Sequence, residues 1–426
     1  MKDRVTRKEK FCYILTNLGN VPVQAILGSY LLIYYTNVVG LNPGACATLF
    51  LIARIMDGLN DPIVGFLIDH RKTTKMGHFR PTLIMGAILC GLNFMLLWMG
   101  PYIATGGKLF IAYVSYLLIG IIFPIMDISL NSMLPVMTAD ASERNTLSSI
   151  KGITLLLGVF GINIIAPILI GNSSEAKGYF TLIIVAVFMI IVFSVIGTLG
   201  LKERVQINQE QKKYRFVDLI EIIKQKPVWS TFLCGLLYTT GTYIVNASNT
   251  YFYTYVLNNL MILSLASLIQ MFAMIPATIL APVLILKMGK KNAYIFGLFC
   301  FGIFPVVRII NVINIPILMI ATAVAGFGAG LSMPLQYSIQ ADNTDYVELK
   351  LGYRAEGAIA SLSSFITKCA MGIGGAIPGY LLAMVHFDPT MAEQAEGVKT
   401  MLTLCTIGCP ILFCVIAIVI FKAIYP

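Results

Sequence analysis

The sequence predicts an all-α polytopic membrane protein with 12 transmembrane helices in two pseudo-symmetric six-helix bundles. Three observations support this fold class. Hydrophobic residues make up 58% of the 426 positions and charged residues only 12%, whereas a soluble domain contains about 25% charged residues. Long apolar runs alternate with short polar segments along the whole chain. Basic residues are concentrated in alternate polar segments, as in membrane proteins with a fixed topology.

The apolar runs are the predicted spans, because an α-helix needs about 20 residues to cross a bilayer. The first run follows a basic N-terminal segment, and Gly, Pro, Asn or charged residues bound the others. The polar segments on one side are short, at 39–43, 171–177 and 311–316. In order, the twelve runs lie near 10–36, 44–69, 82–101, 108–136, 147–170, 178–200, 228–257, 260–287, 292–310, 315–339, 355–385 and 399–423.

The net charge of +10 follows this topology and does not indicate a nucleic-acid partner. All but six of the 30 Lys and Arg residues lie in the N-terminus, alternate loops and the C-terminus. This positive-inside pattern predicts an integral, multi-pass protein of the cytoplasmic membrane with both termini in the cytoplasm, in contact with anionic lipid. The six exceptions are Arg54, Lys108, Lys177, Arg308, Lys368 and Lys399.

The polar residues do not form a pattern typical of an enzyme. The nine Cys residues are scattered, with no CxxC or His-spaced metal motif, and the three His residues form no cluster. No Ser-His-Asp or Cys-His arrangement is visible. We therefore expect free thiols, no catalytic residues, no cofactor and no enzymatic activity.

The longest polar stretch, 202–227, divides the chain into an N-terminal bundle, 1–201, and a C-terminal bundle, 228–426. The helical spacing of apolar residues at 216–223 predicts an amphipathic helix on the cytoplasmic membrane surface. Two six-helix halves are the layout of the major facilitator superfamily, in which substrate binds near the midplane between the halves.

Asp57 and Asp61 are the most informative residues of the chain. They lie at i and i+4 in an apolar run, so they share one face of a helix. Each charge inside a bilayer costs about 2.5–3.5 kcal/mol on insertion scales. Two like charges raise that cost unless a proton or a cation lies between them. The pair therefore predicts a site for a monovalent cation, and such a site in a membrane indicates coupled transport.

Other polar residues lie in predicted spans and are candidates for substrate binding. Asp127 is surrounded by apolar residues in the fourth span, and Asn131 follows one turn later on the same face. Lys368, in span eleven, needs an anionic partner or a substrate acceptor. Asn246 and Asn249 share a face of span seven; lining a sugar cavity and ordinary interhelical hydrogen bonding both explain them.

Two charged segments predict coupling or gating contacts. The first follows span two and contains Asp69, Arg71 and Arg80 around a Gly-containing turn, where charge can lock one helix end in one conformational state. A cytoplasmic anchor that obeys the positive-inside rule is the alternative. The second, 340–357, is predicted as a solvated loop between spans ten and eleven. Its candidate coupling residues are Asp342, Asp345, Arg354 and Glu356.

These segments together resemble the glycoside–pentoside–hexuronide:cation symporters, whose best-known member is the melibiose permease. The resemblance covers nearly the whole chain and is strongest at 34–41, 54–81, 125–127 and 341–356, and at Lys368. It implies that Asp57 and Asp61 bind the cation, that Asn60 relates to sodium use, and that Arg54 offsets the charge of the pair. It also implies that Asp127 holds sugar hydroxyls and that Lys368 lies between the cation and sugar sites.

Four positions depart from the pattern of melibiose permease. Val21 stands where a helix-one aspartate binds sugar, and Gly152 where helix five carries an arginine, with Lys151 one residue away. Asn131 replaces a stacking tryptophan, and Pro124 replaces a threonine of the cation shell. The cation carboxylates are kept while the galactoside contacts change, so the substrate is expected to differ from melibiose. Sodium, lithium and the proton all stay open as coupling ions.

The function predicted is cation-coupled symport of a glycoside or short oligosaccharide by alternating access, by a chain acting as a monomer. Two alternatives stay open at this point. One is transport of an amphiphile, because eukaryotic lysolipid carriers share the broad family. The other is a sugar sensor that binds its ligand without transporting it.

Overall fold

The fold is known from a computed structural model, which describes residues 5–69, 73–74, 76–138, 140–171, 175–204, 221–351, 356–391 and 393–425. Those residues are almost entirely helical, as the composition predicted. They form two compact units, Met1–Glu210 and Gln211–Pro426. Most of the predicted linker 202–227, with its amphipathic helix, lies outside the described residues.

The first unit contains six spans. Their helices are α1 (Arg7–Ile33), α2 (Pro43–Asp69), α3 (Phe79–Ile103), α4 (Lys108–Met137), α5 (Ala141–Gly171), and α6 (Glu175–Phe188) with α7 (Ser194–Gly200). The last two belong to one span, because the π-helical segment Met189–Phe193 joins them. A second π-helical segment, Tyr34–Val38, extends α1.

The second unit contains α8 (Lys226–Tyr251), α9 (Met261–Leu298), α10 (Ile315–Leu351), α11 (Glu356–Met384), α12 (Glu396–Thr403) and α13 (Cys409–Ile424). Three of the helices continue into π-helical segments, which are Phe252–Val256 after α8, Phe299–Ile303 after α9 and Leu404–Gly408 between α12 and α13. Spans one and seven, and spans six and twelve, therefore carry π-helical segments at corresponding positions in the two units.

Nine segments of the described chain are long and apolar enough to cross a membrane. One of them, Met261–Ile309, has 49 residues and contains a sharp bend at Gly289, whose φ is +79°. That bend separates predicted spans eight and nine. The helices α1 and α2 have similar lengths but more polar sequences, and together the described helices are consistent with twelve spans.

The predicted loop between spans ten and eleven is wrong over 340–351, because α10 continues to Leu351. The side chain of Val347 is fully buried and packs with Val228 and Phe232. Asn343 is also buried and donates a hydrogen bond of 3.0 Å to the Thr231 hydroxyl in α8. These contacts stabilise about three further turns of helix, which the density of charge had concealed.

Charged side chains hold the helix ends of the first unit together. Glu9 caps the start of α1 in a capping box with Thr6 and accepts two hydrogen bonds, of 2.8 and 2.9 Å, from Arg204 after α7. Glu203 accepts hydrogen bonds from the first backbone N–H groups of α3. Lys10 pairs with Glu143 of α5 at 2.9 Å. This scaffold fixes the ends of the helices that carry the candidate site.

Candidate functional site

The predicted cation residues lie in α2, where Arg54 and Asp57 form an ion pair. The Arg54 Nη1 atom donates to the Asp57 Oδ2 atom over 2.9 Å. Arg54 also reaches the buried Tyr116 hydroxyl on α4. The pair forms because one helical turn brings the guanidinium onto the carboxylate.

The Oδ1 atom of Asp57, the carboxylate oxygen that does not bind Arg54, lies in an unusual environment. Asp57 is only 9% exposed, and its Oδ1 atom is buried without a hydrogen-bond partner among the described residues. It packs against Gly120 of α4 so closely that a Cβ atom there would lie 2.2 Å away. A buried carboxylate oxygen without a partner is costly. A carboxylate oxygen is also the type of ligand that hard cations prefer.

Asn60 is the other described member of the predicted cation set, whereas Asp61 and the gating residues Asp69 and Arg71 are described in part or not at all. Asn60 lies in α2 with a half-buried side chain. The backbones of Asp61 and Asp69 belong to α2, but their side chains lie outside the described residues, and Arg71 lies outside them altogether. Within the described residues, no group of three or more His, Cys, Asp or Glu side chains is close enough to hold a metal ion.

Asp127 is the centre of a polar network that joins three helices. Its Oδ1 atom accepts a hydrogen bond of 2.6 Å from Asn20 of α1, and its Oδ2 atom accepts one of 3.0 Å from Asn131. The side-chain amide oxygen of Asn131 in turn accepts a hydrogen bond from the Lys151 ammonium group of α5. The network combines a carboxylate, two amides and an ammonium, which is the mixture of acceptors and donors that sugar hydroxyls require.

Two of the substituted positions border this network. Val21 is fully buried, and its side chain packs against Gly158, so it belongs to the contact between α1 and α5. A Cβ atom at Gly152 would meet no atom within 4 Å. An added side chain at Gly152, the residue that follows Lys151, would thus have open space around it.

The predicted substrate residues of the second unit are dispersed. Lys368 is half-buried in α11 and has a polar interaction partner. Asn246 is exposed on α8, whereas Asn249 is half-buried and lines a cavity inside the unit. The spacing predicted that the two amides share one face of the helix. Only Asn249 lines this cavity, however, and Asn246 does not.

Two of the described gating candidates, Arg80 and Asp342, contact groups of their own unit. Arg80 donates to the backbone carbonyls of Thr198, Leu199 and Met76 over 2.9–3.2 Å. Asp342 accepts two hydrogen bonds of 2.7 Å from Lys290. Asp345 is exposed on α10 and has an interaction partner. Arg354 and the side chain of Glu356 lie outside the described residues.

Sequence reasoning missed two contributors to the site and one charged group outside it. Asn20 was not among the predicted site residues, although an amide in an apolar run is itself a signal. Gly120 gives no signal in the sequence, since its role is to let Asp57 approach α4. Arg308 was counted among the basic residues outside the cytoplasmic loops, but no function was assigned to it.

Comparisons with known proteins identify the family and the fold. Residues 12–426 match the family described as MFS/sugar transport protein. The isoprimeverose transporter of Lactiplantibacillus pentosus is 30% identical over 407 residues, covering 93% of this chain and 84% of its own. YagG of Escherichia coli, named as a candidate glycoside/cation symporter, is 27% identical over 99% of this chain and 91% of its own. The crystal structure of the nucleoside transporter NupG superposes with a TM-score of 0.66 at 13% identity, covering 98% of each chain, and shows the same fold.

Proposed function

The chain belongs to the MFS/sugar transport protein family, and on that premise we propose that it is a symporter of a monovalent cation and a glycoside or short oligosaccharide. The names of its relatives support the substrate class, since one is an isoprimeverose transporter and another is described as a glycoside/cation symporter. The proposed transport cycle is alternating access in the cytoplasmic membrane.

The observation that carries the proposal is the unpartnered Asp57 Oδ1 atom in the membrane-spanning helix α2. Arg54 already binds the other oxygen, so Oδ1 is left for a cation. The charges balance as well. Asp57 and Asp61 carry two negative charges and Arg54 one positive charge, so a single monovalent cation makes the group neutral. Neutrality lowers the cost of enclosing these residues in a membrane.

Asp127 and its partners are the proposed sugar site of the first unit. A carboxylate that accepts from two amides still has lone pairs for sugar hydroxyls. Lys151 lies at the end of the network, where its ammonium group donates a hydrogen bond to the side-chain oxygen of Asn131. In the second unit, Lys368 stays in the proposed substrate set, as the sequence predicted.

Coupling follows from linkage between the two sites. If the bound cation stabilises the conformation that binds sugar, the sugar must tighten cation binding by the same factor. Both sites lie on packed helices of one unit, since α2 packs against α4 and α1 packs against α5. A change at Asp57 therefore reaches Asp127 through α4, which contacts the Asp57 carboxylate at Gly120.

The test is uptake of a panel of labelled glycosides by membrane vesicles under imposed sodium, lithium or proton gradients. We expect one gradient to drive uptake by the wild type. Asp57→Asn should abolish the gradient dependence, and Asp127→Asn should abolish uptake altogether. Glu396→Gln is the matched control, because Glu396 is 87% exposed and pairs only with Lys399 among the described residues.

Two results would contradict the proposal. One is gradient-driven uptake that is unchanged in Asp57→Asn. The other is transport of a labelled lysophospholipid with no transport of any glycoside. Counterflow of labelled against unlabelled sugar in the same vesicles separates a transporter from a protein that binds sugar without moving it.

A further inference from the structure

We propose that the second unit contains a separate binding site for a small oxyanion, of carboxylate or sulfonate size, built around Arg308. This residue lies in the last turn of span nine, in the 3-10 segment Phe304–Ile309. It is far in sequence from Asp57 and Asp127, and the proposed symport does not use it. Four observations on the described residues support the site.

The first observation is the state of the guanidinium. Arg308 is only 8% exposed, and its Nε and Nη2 atoms are buried without hydrogen-bond partners among the described residues. These two nitrogens form one edge of the planar group. A carboxylate binds to that edge through two parallel hydrogen bonds, which is the geometry for which arginine is best suited. The unused donors therefore match an oxyanion in number and direction.

The second observation is that the protein offers little compensation for the charge. The guanidinium carbon lies 4.8 Å from the centre of the Phe252 ring, and this cation–π contact is one source of stabilisation. Tyr253 lies nearby as a neutral hydroxyl. None of the described residues that line the surrounding cavity is acidic. A buried charge without a counter-ion is strongly unfavourable, so an anionic partner would remove that cost.

The third observation is the cavity itself, which has a volume of about 80 Å³. Since one water molecule occupies about 10–15 Å³ on this measure, there is room for a carboxylate or sulfonate group and some water, but not for a whole oligosaccharide. Besides Arg308, polar side chains from four spans line it: Asn249, Tyr253, Ser267, Gln270, Thr322 and Thr406. These groups could hydrogen-bond the oxygens that the guanidinium leaves free.

The fourth observation is the backbone around the cavity. Tyr253, Phe301 and Thr406 each belong to a different π-helical segment, and Arg308 belongs to a 3-10 segment. π-helical turns are rare and occur most often at functional sites. Here three of them supply lining residues to one cavity, which distinguishes it from an ordinary packing defect.

The anion could be a free solute or the acidic group of a sugar, and one experiment separates these sources. The purified protein in detergent is heated in potassium acetate at increasing concentration, with chloride replacing acetate at fixed ionic strength, because a single spherical ion does not present two oxygens to the two nitrogens. We expect the unfolding temperature to rise with acetate and to saturate, as it does for a ligand that binds only the folded state. Parallel titrations use potassium D-glucuronate and D-glucose.

Three variants assign the effect to the cavity. In Arg308→Gln, half-saturation by acetate should require at least about tenfold more anion, since a bidentate charge-assisted pair is lost. Ala325→Leu should remove the response by filling the cavity while keeping the guanidinium, and it serves if Arg308→Gln does not fold. Lys399→Gln removes one charge from an exposed pair outside the cavity and should respond like the wild type.

The outcomes decide as follows. A response to acetate alone assigns the site to a free anion, and a response to glucuronate but not to glucose assigns it to the acidic group of a sugar; both support the proposal. The proposal is overturned if acetate and chloride act alike in the wild type. It is also overturned if the acetate response is undiminished in Arg308→Gln or Ala325→Leu.

Discussion

Replacing Glu203 with alanine tests whether the carboxylate that follows α7 holds the start of α3. The Glu203 Oε2 atom accepts a hydrogen bond of 2.7 Å from the His78 backbone, and its Oε1 atom accepts bonds of 2.9 and 3.0 Å from the backbones of Phe79 and Arg80. In the other direction, the Arg80 guanidinium at the start of α3 donates hydrogen bonds to the last backbone carbonyls of α7. Each helix end therefore caps the other.

The expected cost follows from these three bonds. Removing a side-chain N-cap costs about 0.5–2 kcal/mol, and a hydrogen bond to a charged group contributes about 1.5–3 kcal/mol. The three bonds share one half-buried carboxylate, and water replaces part of them. We therefore expect Glu203→Ala to lower the free energy of unfolding by about 2 kcal/mol. For a unit of about 200 residues this lowers the unfolding temperature by about 4–8 °C.

The assay is thermal unfolding of the purified protein in detergent. Glu203→Gln should give roughly half the effect, because its amide keeps one acceptor oxygen and loses the charge at the helix N-terminus. Glu396→Ala, at an exposed pair, should change the unfolding temperature by less than about 1 °C. The reasoning is refuted if Glu203→Ala unfolds within about 1 °C of the wild type, or no lower than Glu396→Ala.

Three further predictions concern stability and substrate binding. Burial raises the pKa of Glu9, but hydrogen bonds from Arg204 and Thr6 outweigh it and hold the pKa below its ordinary value of 4.5; the ionised form therefore stabilises the fold above that value, and this contribution is lost as the pH falls through the lowered pKa. Glu9→Gln should thus lower the stability by about 1.5–3 kcal/mol at pH 7, and the deficit should shrink below pH 4.5; thermal unfolding at a series of pH values measures it, and a deficit independent of pH would contradict the assignment. Gly328→Ala should cost about 1–3 kcal/mol, since its Cβ atom would lie 2.3 Å from the Phe301 backbone nitrogen, whereas Gly375→Ala meets no atom within 4 Å and should be neutral or slightly stabilising; equal unfolding temperatures for the two variants would count against this packing. Lys151→Gln should weaken sugar binding by about tenfold, the loss of one charge-assisted hydrogen bond, as measured by substrate titration; an unchanged affinity would exclude the Asn131 network from the sugar site.

The sequence predicted the helices well because its signal was strong. Apolar runs of membrane length, and the Gly, Pro, Asn and charged residues that bound them, located the spans to within a few residues. Where the prediction failed, at 340–351, charged residues lie on a helix whose buried positions are few, namely Asn343, Thr344 and Val347. Composition favours a loop there, and only tertiary packing reveals the helix.

The candidate site was predictable in its charges and less so in its contacts. Spacing alone placed Arg54 and Asp57 one turn apart on one helix. The partnership of Asn20 with Asp127 spans 107 residues, and the approach of Gly120 to Asp57 joins different helices. Such contacts depend on how helices pack, which no local pattern encodes. The unpaired edge of Arg308 is likewise visible only once its neighbours are known.

The central claim is that a cation at Asp57 controls sugar binding, and the most direct test is calorimetric titration of the purified protein with sugar, with and without the coupling cation. The wild type should bind sugar about 5–150-fold more tightly with the cation, the range typical of coupled sites. In Asp57→Asn that factor should fall to about one, while the affinity without cation stays close to the wild-type value. An undiminished factor in Asp57→Asn would contradict the account.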